Sequence, residues 1–158
     1  MTENVTLRII PSTLRIWMGV GALFGLGGLL LYLALAYPPA SLGLQIFLIL
    51  FGLFSIYGGA RMMQSGRLSL ELNGDTLTDS QGRLVATIDN IVKVERGAFA
   101  FKPSHGFVLH LSEPMPRAWF PGIYWRMGRR VAVGGVLPGG ETKAVADIIS
   151  ARKSGIEI

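Results

Sequence analysis

IWMGVGALFGLGGLLLYLALAY, Ile16 to Tyr37, contains no Asp, Glu, Lys, Arg or His, and neither does LGLQIFLILFGLFSIYGGA, Leu42 to Ala60. At ~1.5 Å rise per residue these runs make helices of roughly 33 and 28 Å, enough to cross a hydrocarbon core of ~30 Å. Only Pro38-Pro39-Ala40-Ser41 separates them, so an antiparallel transmembrane hairpin is expected over 16–60, with spans 16–37 and 42–60. A short segment (1–15) precedes it, and a domain (61–158) follows.

Charge placement gives the expected topology. Arg8 and Arg15 precede the first span, Arg61 and Arg67 follow the second, and the turn is uncharged. The positive-inside rule then puts both termini in the cytoplasm and only the turn outside. Trp17, Tyr37 and Tyr57 lie near the span ends, where interfacial aromatics belong. Ala34-Leu35-Ala36 has the A-x-A form of a signal-peptidase site. The apolar run before it is longer than the roughly 7–15 residues of a signal core, which favours a retained helix over cleavage after Ala36.

Lipid gives no hydrophobic drive between helices, so small residues must let their backbones approach. Gly21, Gly25 and Gly28 share one face of the first span, and Gly52, Ser55 and Gly59 share one face of the second. These faces are expected either to pack on each other or to dock on another membrane protein, and homo-oligomerisation through them is compatible with both. Gln45 is the one strongly polar side chain in the spans. Without ionisable residues there is nothing from which to build a transport pathway.

From Arg67 onward the pattern alternates. Leu68, Leu70 and Leu72 read as a half-buried strand, Asn73-Gly74 as a hairpin turn, and Thr76 to Thr78 as the return strand. Asp79-Ser80-Gln81-Gly82 is a second turn. Further strands are expected at Leu84–Ile88, Ile91–Val94, Phe99–Phe101, Phe107–Leu111, Trp119–Trp125 and Arg130–Val133. Glu141 to Lys153 changes to helical spacing, with Glu141 at its start and Arg152 and Lys153 at its end matching the helix dipole. Val5, Leu7 and Ile9 alternate as in a short strand that could add to an edge of the later sheet; the alternative is a disordered or surface-lying tail. The fold class is therefore a membrane helical hairpin plus an α+β domain.

The series LSLELNGDTLTDSQGRLVATIDNIVKVERG, the run FVLHL and the ending RRVAVGGVLPGGETKAVADIISARK resemble the PH-like domains of small bacterial membrane proteins. The resemblance covers about Leu68 to Arg152. It implies a barrel-like antiparallel sheet of about seven strands with a C-terminal helix, a binding or scaffolding role, and the bacterial inner membrane. It transfers no catalytic residue.

Catalytic motifs are not evident. His105 and His110 are five residues apart and would face opposite sides of one strand, and there is no Cys to complete a zinc site. Gly134-Gly135-Val136-Leu137-Pro138-Gly139-Gly140 precedes a helix, but Gly139 is followed by Gly140 and Glu141 where a phosphate loop needs Lys and then Ser or Thr. No cofactor, no metal and no enzymatic activity are expected.

The stretch Arg117 to Arg130 is the most distinctive part of the domain. It combines Arg117, Arg126, Arg129 and Arg130 with Trp119, Phe120, Tyr124 and Trp125, and contains no acid. Such mixtures mark protein interfaces and membrane–water boundaries. Each Arg near an anionic leaflet contributes about 1 kcal/mol. The net charge of +5 and the membrane tether point to lipid or protein rather than nucleic acid. The expected role is a membrane-anchored accessory, assembly or scaffolding protein of a larger membrane complex; the alternative is a regulator binding anionic lipid at the cytoplasmic surface.

Overall fold

A computed structural model describes residues 7–97 and 103–155. The expected strand at Phe99–Phe101 and the position of Val5 lie outside them. The chain forms two units, Thr13–Gln64 and the segments on either side of it.

The first unit holds α1 (Thr13–Ala36) and α2 (Leu42–Ser65). Each extends beyond its uncharged run, and both are long and apolar enough to cross a membrane. They lie antiparallel. A Cβ on Gly27 would stand 2.6 Å from Ile56 Cγ1 and 2.8 Å from the Gly52 carbonyl oxygen, so only glycine permits the approach there. Gly19 meets Met62, and Gly59 lies against Leu23 and Phe24. Ser55 is buried and donates to the Phe51 carbonyl at 2.8 Å, while Gln45 donates across the pair to the Ala34 carbonyl at 3.1 Å. The α2 residues Gly52, Ser55 and Gly59 thus lie on the buried side of the hairpin, as one of the two expectations had it.

The α1 glycines do not. Space beside Gly21, Gly25 and Gly28 is open, and the contact runs through Gly19 and Gly27 instead. One residue is ~100° around a helix. Gly27 therefore faces α2 while Gly28 turns away.

The second unit contains two antiparallel sheets. The first has the order β1 (Leu7–Ile9), β2 (Leu70–Asn73), β3 (Thr76–Asp79), β4 (Leu84–Thr87). The second is β5 (Ile91–Glu95), β6 (Phe107–Phe120), β7 (Tyr124–Val133). A single 3-10 turn, Ile88–Asn90, leads from one to the other, and α3 (Gly139–Lys153) follows. Strand β1, which precedes the helical hairpin, pairs with β2, which follows it: Leu7 lies opposite Leu72 and Ile9 opposite Leu70. Arg8 donates to Ser69 Oγ and pairs with Glu71, and Ser12 N–H donates to the Val136 carbonyl.

Alternation places the apolar residues inside. Leu70, Leu72, Leu77, Val85, Phe107, Leu109, Val131 and Val133 are buried, and α3 covers them with Val145 and Ile149. The two-residue turn between β2 and β3 is Gly74-Asp75, with φ of 54° at Gly74. Arg152 from α3 donates to the Gly74 carbonyl, and Lys153 to those of Ile91 and Val92.

The segments expected as separate strands at Phe107–Leu111 and Trp119–Trp125 belong to one bent hairpin. Register shifts between His110 and Met115 and again before Ala118 bend β6, and Gly128 at φ 60° bends β7 opposite Met115. Pro114 and Pro116, which lack N–H groups, sit in the irregular stretch where β6 pairs with β7 alone. The tip then returns to the base of its own hairpin. Gly134 N–H donates to the Ile123 carbonyl, and Val136 N–H to that of Gly122. Gly135 N–H donates to Ser104, so the N–H groups that a phosphate loop would offer are used internally.

The sheets approach between β4 and β7 without forming a closed barrel. Where a ladder would close one, the Arg126 side chain intervenes. Its Nη1 donates to the carbonyls of Leu84 at 2.7 Å and Val85 at 3.1 Å, and its Nε to that of Pro116 at 2.6 Å.

Candidate functional site

The arginine–aromatic segment divides by strand face. In β6 and β7, Phe120 is opposite Tyr124, Trp119 opposite Trp125, and Ala118 opposite Arg126. Successive side chains alternate sides, so Phe120, Tyr124 and Arg126 go one way and Trp119 and Trp125 the other.

The inward set forms a joint with the first sheet. Phe120 and Tyr124 have ring centroids 5.0 Å apart, and the Arg83 guanidinium lies 4.2 Å from the Phe120 centroid. Arg83 is held by Asp79 at 2.7 Å, and the same Asp79 oxygen accepts from the Tyr124 hydroxyl at 3.4 Å. The other Asp79 oxygen accepts the N–H groups of Gln81 and Arg83, which closes the Asp79–Gly82 turn. Burial, with the Asp79 charge adding to it, pushes the Tyr124 hydroxyl up to about 12.

The outward set is open. Arg117, Ala118, Trp119, Trp125, Arg126 and Met127 border a groove of about 510 Å³ beside the hairpin. Trp119 is 40% and Met127 56% exposed, unusual for large apolar side chains. Arg117, Arg129 and Arg130 are exposed and enter no ion pair among the described residues, in contrast to Arg83, Arg96 and Arg152. Of the eight residues expected to form one patch, Arg117, Trp119, Trp125, Arg129 and Arg130 remain on the surface. Phe120, Tyr124 and Arg126 contact the first sheet or the turn within it, and Arg126 also borders the groove. Met127, absent from the sequence-based set, joins the surface.

Two other groups of polar residues were candidates for chemistry. Glu95 accepts from Lys93 Nζ at 2.7 Å and lies 2.9 Å from His110 Nε2. The Lys93 hydrogen bond, then that of His110, lowers the Glu95 carboxyl to about 2. These are salt-linked surface side chains, and neither His110 nor Glu95 lines any of the cavities beside the hairpin or α3. His105, at φ 57°, borders a cavity of about 490 Å³ beside the start of α3, where Arg96 is neutralised by Asp147. Among the described residues no three metal-ligating side chains converge.

Sequence alone missed Asp79 and Arg83 because their partners are remote: Tyr124 is 45 residues from Asp79. Compared with protein families, curated proteins and solved structures, the chain matches none of them.

Proposed function

We propose that this chain is a non-enzymatic, membrane-anchored accessory or assembly protein that holds to the helices of a larger membrane-protein complex through the outer glycine face of α1. One observation carries the reading. Helix α1 already packs on α2 through Gly19 and Gly27, yet Gly21, Gly25 and Gly28 leave a second small-residue face with open space beside it. In lipid, such faces are where helix backbones approach closely.

The membrane anchor is supported by the bare surface of both helices, where Trp17, Leu29, Leu35, Leu50 and Phe54 are all more than half exposed. Apolar area on that scale requires a cover, and bilayer lipid supplies one. The pairing of β1 with β2 supports an even number of crossings, because strands before and after the hairpin belong to one sheet. Cleavage after Ala36 would remove β1 and its buried Ile9, which favours a retained hairpin. With Arg8, Arg15, Arg61 and Arg67 flanking the spans, the sheet domain is assigned to the cytoplasmic side of a bacterial inner membrane. Seven described strands and a closing helix support a PH-like scaffold, a binding fold in which Arg126 replaces the closing ladder.

Mild detergent extraction, size measurement and mass spectrometry test the proposal. The unsubstituted chain should run with a defined membrane-protein partner. A Gly21→Leu/Gly25→Leu/Gly28→Leu variant should lose that partner while its hairpin stays folded. A chain that runs alone, or a variant that keeps its partner, defeats it.

A further inference from the structure

We propose that the outer side of the bent β6–β7 hairpin is a docking surface for an anionic bilayer, with Trp119 and Trp125 among the head groups and Arg117, Arg129 and Arg130 against lipid phosphates. This rests on the membrane anchoring proposed above and adds a second contact, made by the sheet domain rather than the helices.

Charge complementarity argues for the occupant. Between Pro114 and Arg130 there is no Asp or Glu, and the exposed Arg117, Arg129 and Arg130 have no carboxylate partner among the described residues. By contrast, the exposed Arg83 pairs with the buried Asp79 and Arg96 with the exposed Asp147. Arg117, Arg129 and Arg130 therefore leave uncompensated positive charge spread along the exposed surface of a strand pair. It is not gathered in an enclosed pocket, and the groove beside it is open and largely apolar. A cross-strand pair of half-exposed indoles flanked by guanidinium groups matches the layered chemistry of a bilayer surface. Ring bodies sit at the head-group level while cations meet phosphate.

Tethering makes a weak face sufficient. Only residues 10–12 separate β1 from α1, and only residues 66–69 separate α2 from β2. Short joints of this kind hold a domain at an effective concentration on the order of millimolar. Each arginine near an anionic leaflet raises occupancy about fivefold at low salt, so three of them act strongly on a surface already at hand. The inward residues Phe120 and Tyr124 lock the face in place, and Arg126, which also borders the groove, ties it to Leu84 and Val85.

The test uses the full chain carrying Trp17→Phe, so that Trp119 and Trp125 are the remaining indoles. It is reconstituted into vesicles of phosphatidylcholine, alone or mixed with phosphatidylglycerol, containing nitroxide-labelled lipid as quencher. Quenching of the two indoles should rise at least about threefold with anionic lipid and fall back near 0.5 M salt, where the screening length is ~4 Å. Arg117→Gln/Arg129→Gln/Arg130→Gln should abolish the rise with unchanged circular dichroism. If that variant does not fold, the salt titration of the chain with native arginines decides between binding and its absence. Equal quenching in neutral and anionic vesicles overturns the proposal, as does shielding of the indoles only when a co-extracted protein is present. A companion chain with Trp119→Phe and Trp125→Phe separates the two readings. If Trp17 is quenched by acyl-chain nitroxide while the hairpin indoles ignore lipid charge, the docking surface fails alone. If Trp17 is not quenched, the anchoring fails and the surface with it.

Discussion

The glycines of α1 and the segment from Arg117 to Arg130 teach the same lesson in different geometries. Each is one stripe by composition and two surfaces in space. On α1, Gly19 and Gly27 receive Met62 and Ile56, while Gly21, Gly25 and Gly28 look outward. On the β6–β7 hairpin, Phe120, Tyr124 and Arg126 lock onto β3, β4 and the turn between them, while Trp119, Trp125 and Met127 remain exposed or half-exposed. A helix separates its faces by rotation and a strand by alternation. In both, one half is buried and holds the fold while the other half stays exposed.

The sharpest way to break this division is at its buried anchor. Asp79→Ala leaves the Tyr124 hydroxyl, the Arg83 guanidinium and two backbone N–H groups without their shared acceptor. The expected loss is about 3 kcal/mol, measured by urea unfolding of the full chain in micelles. A loss under about 1 kcal/mol would mean that the inward set does not anchor the hairpin. The same cluster sets an alkaline limit. Because folding raises the Tyr124 hydroxyl from 10.0 to about 12, its contribution is complete below pH 10 and declines as pH rises toward 12.

Next in size is the helix pair. Gly27→Leu would force side-chain atoms into Ile56 and the Gly52 backbone, at a cost of about 2–3 kcal/mol and a visible separation of spin labels on the two helices. Gly21→Leu meets open space and should leave that separation unchanged. Equal effects would erase the distinction between the two glycine faces.

Arg126→Met sharpens the comparison within one strand. Three carbonyls lose a charged donor at the seam between the sheets, an expected cost of about 2 kcal/mol. Arg117→Gln, Arg129→Gln and Arg130→Gln, nine, three and four residues away, should each stay within about 0.5 kcal/mol. Four arginines of one sequence cluster thus separate into one structural residue and three surface residues by stability alone.

Much of this architecture is legible without coordinates, because its causes are local. Uncharged runs at Ile16–Tyr37 and Leu42–Ala60 specify long apolar helices, and period-two alternation finds β2 to β5 and the start of β6. The alternation of Leu7 and Ile9 allows β1 but does not decide it against a surface-lying tail; its pairing with β2 does. What fails is facing and continuity. Gly21, Gly25 and Gly28 share a face by spacing, but spacing does not say which face meets α2. Bulges near Met115 and the left-handed Gly128 reset the alternation, so β6 and β7 continue through a stretch that reads as broken. The Asp79–Tyr124 contact closes over a long loop and leaves no local signature.

The smallest expected effect lies on β5 and β6, where a polar group of the surface can be compared with the buried Asp79. Glu95 is held by Lys93 and His110 with its carboxyl lowered from 4.5 to about 2. A lowered carboxyl contributes stability that is present above the unfolded value, and loses it as pH falls through the folded one. The expected window therefore opens near pH 4.5 and closes near pH 2. Exposed ion pairs are screened, so Glu95→Gln should flatten the acid limb of the unfolding curve slightly and added salt should do the same. Asp79→Ala, by contrast, should lower stability at neutral pH and keep doing so in high salt, because its partners are backbone N–H groups, a guanidinium and a buried hydroxyl. If salt erased both effects alike, the Asp79 joint would be a surface ion pair like that of Glu95, and the inward half of the hairpin would lose its anchor.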